Sequence, residues 1–163
     1  MRVLALPILC PLWLALAACG GATEPAPVRA PMAAATSGSA ANGATATSNG
    51  ITLRANVVET ADLQESVAAG YGIAREPNQA LLLLTVRDAN GDNATPVSLQ
   101  ATVSDLRGGQ RPLPLREIRV GEFVDRIGLV PVSAPDTLTF EVRAQLVSGS
   151  TSSVRVNRDF YPR

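Results

Sequence analysis

Leu138-Thr139-Phe140-Glu141-Val142-Arg143-Ala144-Gln145-Leu146 alternates apolar and polar side chains without a break. Successive side chains of an extended chain leave opposite faces, so this stretch predicts a strand with one buried face and one solvated face. Ile51-Thr52-Leu53-Arg54-Ala55-Asn56-Val57 and Val97-Ser98-Leu99-Gln100-Ala101-Thr102-Val103 repeat the pattern. Leu81-Leu82-Leu83-Leu84-Thr85-Val86 breaks it by being apolar at both parities, which predicts a central strand covered on both sides. Segments 113–120, 122–132 and 153–160 bring the expectation to about seven strands. Turn signals separate them: Asn90-Gly91, Gly108-Gly109, Val120-Gly121, Ala134-Pro135-Asp136 and Ser148-Gly149.

The alternation slips between Leu115 and Ile118, which predicts a bulge near Arg116-Glu117. One helical element interrupts the strands: Asp62-Leu63-Gln64-Glu65 reads as a capping box, Leu63 and Val67 share a face, and Gly70 ends the run. Short strands at this spacing in about 110 residues predict an all-β, antiparallel sandwich of immunoglobulin-like size over residues 51–163, with one short helix. The cysteine and tryptophan landmarks of antibody domains are missing from it, since Trp13 lies far upstream.

The N-terminus has a different character. Arg2 precedes an uncharged apolar run from Val3 to Ala18, the pattern of a secretory signal over residues 1–18. The run is shorter than the roughly 20 residues of a membrane span and contains Pro7 and Pro11. It closes on Leu16-Ala17-Ala18-Cys19, which resembles the lipobox of bacterial lipoproteins. That resemblance implies diacylation of the Cys19 thiol, cleavage after Ala18, and acylation of the new amino terminus. Several acyl chains make a stable anchor. No Asp follows Cys19, so by analogy with enteric-type sorting the expected address is the periplasmic, inner leaflet of the outer membrane. Residues 19–50 are mostly Ala, Gly, Ser, Thr, Pro and Asn, a composition that predicts a disordered tether with a reach of roughly 30 Å.

Composition narrows the chemistry. The 163 residues carry 14 basic and 14 acidic side chains, all the basic ones being Arg, with no His. There is no basic surplus for nucleic acid, no lysine for Schiff-base or P-loop chemistry, and no imidazole for Ser-His, Cys-His or metal sites. Cys10 falls in the signal and Cys19 is taken by lipid, so neither a disulfide nor a free thiol is expected in the mature chain.

Val67-Ala68-Ala69-Gly70-Tyr71-Gly72-Ile73-Ala74-Arg75, followed by the strand Ala80 to Val86, is similar to a family of bacterial periplasmic proteins, domain of unknown function 4426. Leu115-Arg116-Glu117-Ile118-Arg119-Val120-Gly121-Glu122 resembles a later segment of that family, and Val130-Pro131-Val132 and Asp159-Phe160-Tyr161-Pro162 fit it as well. Val124-Asp125 and Glu76-Pro77-Asn78 depart from it. The resemblance implies a small all-β periplasmic domain and transfers no functional residue.

Candidate binding residues are Tyr71 and Arg75, which flank the turn after the helix, and Arg116, Glu117 and Arg119 at the predicted bulge. Loops and bulges are where side chains are aimed at partners, and paired arginines can hold an anion through bidentate hydrogen bonds. The use the pattern favours for the same residues is structural, as a packed corner with Arg75 paired to a carboxylate such as Glu76 or Glu59 and as cross-strand ion pairs. Asp88-Ala89-Asn90-Gly91-Asp92-Asn93 fails the EF-hand spacing and predicts a hairpin turn between a strand ending near Asp88 and one starting near Val97. No metal, cofactor or catalytic residue is expected. The sequence thus points to a lipid-anchored, non-catalytic binding or accessory module with an envelope protein as partner. A small-ligand or anion-binding sandwich, and then a hydrolase working through carboxylates, are the alternatives.

Overall fold

The computed structural model describes residues 36–40, in backbone, and 42–162. The signal 1–18, Cys19 and the first part of the expected tether lie outside those residues. Two antiparallel sheets face each other. The first runs, edge to edge, β1 (Thr36–Ala40), β2 (Gly43–Ser48), β3 (Ile51–Glu59), β4 (Gln79–Arg87), β8 (Phe123–Pro131) and β7 (Arg116–Val120). The second runs β10 (Thr151–Phe160), β9 (Asp136–Gln145), β5 (Ser98–Ser104) and β6 (Gln110–Leu113). The single α-helix among the described residues, α1 (Glu65–Tyr71), follows a 3-10 turn at Thr60–Asp62.

The alternation of β9 is realised in burial: Leu138, Phe140, Val142, Ala144 and Leu146 all enter the core. They meet Leu53, Ala55 and Val57 of β3 and Leu82, Leu84 and Val86 of β4 in one cluster. β4 is covered on both sides as its sequence predicts. Its even positions fill this core, while Leu81 and Leu83 join Ile118 and Ile127 in a second cluster on the outer face of the first sheet. Leu63, Tyr71 and Ile73, from the connection between β3 and β4, pack onto that second cluster.

The domain starts earlier than residue 51. β2 pairs with β3 from Gly43↔Asn56 to Ser48↔Ile51, and Ala44 and Ala46 are buried. The disordered reading of this part of the 19–50 segment is therefore corrected. Its Ala, Ser and Thr side chains are too small to register as an apolar face, yet small size is what the site needs. β10 approaches β2 and β3 to within 8 Å between Cα atoms, nearer than the roughly 10 Å of two ordinary facing sheets. Gly43 has no room for a side chain, because a Cβ there would lie 2.8 Å from the backbone oxygen of Ala55 as well as against the Asn56 side chain.

Three further expectations are revised. The predicted strand 113–120 and its bulge are two strands in different sheets, β6 and β7, joined by Pro114 and Leu115. Gly128 makes the crossing possible: a Cβ there would lie 2.8 Å from Leu113 Cγ and 3.2 Å from Leu115 Cδ2. The helix starts later than the capping box places it, since Gln64 and not Asp62 is the residue before it, and the Gln64 side chain makes no cap hydrogen bond. Gly70 lies inside α1. The helix ends at Gly72, left-handed at φ 62°, with Gly72 N–H donating to Ala69 O and Ile73 N–H to Ala68 O, the paired bonds of a Schellman motif. Finally, β4 and β5 do not pair as a hairpin, because they belong to opposite sheets.

The turn at Asn90-Gly91 nevertheless has the local form expected, with Gly91 at φ 89°. Asp88 N–H donates to Asp92 O, Gly91 N–H to Asp88 O, and Asp88 Oδ1 accepts from the N–H groups of Asn90 and Asp92. The Asp105 to Gly109 turn repeats all four bonds, and the Leu146 to Ser150 turn repeats the two backbone ones. Each is a type I turn closed by a left-handed glycine, the usual three-residue connection of twisted strands.

Candidate functional site

Of the five candidate residues, Arg116, Glu117 and Arg119 stand on β7, Tyr71 ends α1, and Arg75 lies in the connection after it. Side chains three apart on a strand leave opposite faces, so Arg116 and Arg119 do not form one anion clamp. Arg116 points outward to α1: its Nη2 donates to Tyr71 O at 2.6 Å and to Gly72 O at 3.4 Å. These are carbonyls at the helix C-terminus, where a cation is favoured by the unpaired C=O groups and the helix dipole. Tyr71 is half-buried against the second cluster, so Tyr71 and Arg116 are brought together as a brace for α1.

Arg75 ties the connection after the helix back to its start. Its Nη2 donates to Ala61 O at 2.8 Å, and Thr60, fully buried, donates from Oγ1 to Glu76 O and accepts from Glu76 N–H. These bonds close the two ends of the 60–76 connection on each other. Glu117 and Arg119 lie on the other face of β7. There Glu117 accepts from Arg119 at 3.4 Å and from Arg126, on β8, at 3.3 Å. Arg119 is largely exposed and Glu117 and Arg126 are partly so, and pairs open to solvent contribute little stability.

The structure adds a constellation that the sequence reading passes over. Arg87, at the end of β4, pairs with Asp125 of β8, which is only 9% exposed. The same guanidinium donates from Nη1 to Val86 O and Val124 O and lies 4.8 Å from the centroid of the Phe123 ring. Asn93 holds the neighbouring loop to the strand, donating to Glu122 O and accepting from Val124 N–H. Phe123 and its cross-strand partner Val120 remain 47% and 44% exposed at the tip of the β7–β8 hairpin. The available signal was Arg87 at the end of the mostly apolar run Leu81 to Val86, together with Asp125 as a charged residue at a core-flanking parity.

Among the described residues, no group of three or more acidic or thiol side chains is arranged to hold a metal, and no helix is long and apolar enough to cross a membrane. Two clefts open at the ends of the sandwich. One, of about 250 Å³, has Ile51, Val86, Pro96 and Leu146 in its walls and Asn49 bonded to Ser148 and Ser150 at its side. The other, of about 450 Å³, lies between the β5–β6 hairpin and the β8–β9 connection and contains Arg107 and Arg111.

A six-stranded and a four-stranded antiparallel sheet, with a short helix covering the outer face of the larger one, define a small β-sandwich domain. Residues 45–163 match the domain of unknown function family DUF4426, and the chain belongs to that family. Among solved structures it is similar to the DUF4426 family protein PA0388 of Pseudomonas aeruginosa PAO1, with 19% identity and a TM-score of 0.60 over 73% of this chain and 94% of that one. It is also similar to FetP of uropathogenic Escherichia coli strain F11, at 8% identity and a TM-score of 0.47 over 74% of this chain and 94% of that one. A copper-bound variant of FetP gives 10% identity and a TM-score of 0.45, over 71% and 88%. No curated protein matches the chain.

Proposed function

We propose that the protein is a lipid-anchored component of the bacterial envelope, held at Cys19 in the periplasmic leaflet of the outer membrane. In this reading its sandwich is a non-catalytic binding or accessory module. The observation that carries the reading is Leu16-Ala17-Ala18-Cys19 at the end of an apolar run, followed by a small-residue spacer and then the DUF4426 domain. The partner is an envelope protein that adds an extended segment to the open edge of β7. That edge is only five residues long and carries Arg119 and Glu117, which guards it against indiscriminate pairing. The exposed Val120 and Phe123 beside it supply apolar anchors for a specific segment.

The test is crosslinking of the native protein in living cells, followed by purification and mass spectrometry, beside Cys19→Ser and a Val120→Ser/Phe123→Ser double variant. One partner near equal stoichiometry, recovered with the wild type and lost from both variants, is the expected result. A partner retained by the double variant would place the contact elsewhere on the sandwich. Membrane association unchanged by Cys19→Ser would remove the anchor from the reading.

A further inference from the structure

Among the described residues, the guanidinium of every arginine except Arg54, Arg107 and Arg111 has a hydrogen-bond or ion-pair partner in the fold. Arg54 stands on the solvated face of β3. Arg107 and Arg111 line the same cleft, the one of about 450 Å³ at the end of the sandwich, a volume in the range of small-molecule sites.

Their placement follows from the chain. Gly108, at φ 82°, turns the β5–β6 hairpin and leaves Arg107 at its tip. Arg111 pairs across from Val103, which is fully buried, and shares its parity with the buried Leu113. Arg111 thus occupies a core-facing position of β6 where the facing sheet no longer covers it, and a guanidinium there meets no carboxylate. The cleft also contains Asp105 and Asp136, neither of which pairs with either guanidinium, and one oxygen of each is held by the backbone. Asp105 Oδ1 accepts from Arg107 N–H at 2.9 Å and Gly109 N–H at 3.1 Å, and Asp136 Oδ1 accepts from Thr137 N–H at 2.8 Å.

We propose that this cleft binds a small organic anion, a carboxylate or phosphate monoester on an apolar body. Arg107 and Arg111 hold the anionic group, Ser133 adds a hydroxyl donor, and Leu106, Pro131 and Leu138 receive the body. Planar guanidinium forks match both oxyanions, and such charge-assisted bonds are about twice as strong as neutral ones. The site is independent of the β7 edge and does not rest on the envelope-partner reading.

The test is calorimetric titration of the purified full chain with benzoate and with phenylphosphate, which separate the two oxyanions, and with benzyl alcohol as the uncharged body. At least one anion should bind with a dissociation constant below about 1 mM, and benzyl alcohol should not. The double variant Arg107→Gln/Arg111→Gln, checked for an unchanged melting temperature, should weaken that binding by about tenfold or more. Arg54→Gln should leave it unaltered. The proposal is overturned if neither anion binds, if benzyl alcohol binds as well as the anions, or if the double variant loses less than about tenfold while Arg54→Gln loses as much.

Discussion

At the residue scale, one glycine and one ion pair decide more than their chemistry advertises. Gly128 is a notch in β8 over which the chain passes from the second sheet to the first, with Leu113 and Leu115 filling the space a side chain would need. An added methyl has to displace two leucines of a packed core. Gly128→Ala is therefore expected to destabilise the domain by about 1–3 kcal/mol and Gly128→Val by more, read as a lowered midpoint in urea. Arg87 and Asp125 form the other case. Removing one partner leaves a desolvated charge, so Asp125→Ala is expected to cost about 3 kcal/mol. Replacing both, as Arg87→Met with Asp125→Leu, should recover much of that loss, because no charge is then stranded. A double variant as unstable as the single one would show that the pair contributes through its attraction and not merely by mutual compensation. Ser152, whose buried hydroxyl has no hydrogen-bond partner among the described residues, stands where a small side chain is needed between β10 and the first sheet.

At the scale of elements, β2 and the β3–β4 connection separate what was legible from what was not. β2 ends in Asn49-Gly50, with φ of 51° and 75°, the two positive values of a type I′ hairpin turn. That dipeptide was the available signal, and Ala44-Thr45-Ala46-Thr47-Ser48 before it alternates in size, though hardly in hydrophobicity. A chain beginning at residue 51 would expose the β3 edge and uncover Leu53 and Ala55, whereas one beginning at 42 keeps the pairing. The shorter fragment is expected to melt far below the longer one, or to remain unfolded, by circular dichroism. Equal melting temperatures would return residues 43–48 to the tether. The connection 60–78 was legible in outline as a short helix beside Tyr71 and Arg75. Its caps were not, because Gln64 and Gly72 become caps through the way Thr60, Arg75 and Arg116 pin the segment to the sheet.

At the scale of the whole molecule, the sequence by itself determined the class of fold. Period-two burial, an apolar central strand and glycine-bearing turns follow from strand geometry and the left-handed backbone of glycine, which act locally. The same is true of the chemistry excluded by the lack of His and Lys, and of the lipobox-like motif ahead of the domain. Sheet membership was decided only in three dimensions. β4 and β5 read as a hairpin and lie in opposite sheets, and 113–120 reads as one bulged strand and crosses between them. Local pattern says which face of a strand is apolar but not which sheet that face meets. The candidate sites divide in the same way. The Arg116 and Arg119 pair, three apart in sequence, is separated by strand parity, whereas Arg87 with Asp125, and the Arg107–Arg111 hairpin with the cleft wall at Ser133 and Leu138, are brought together by packing between distant segments.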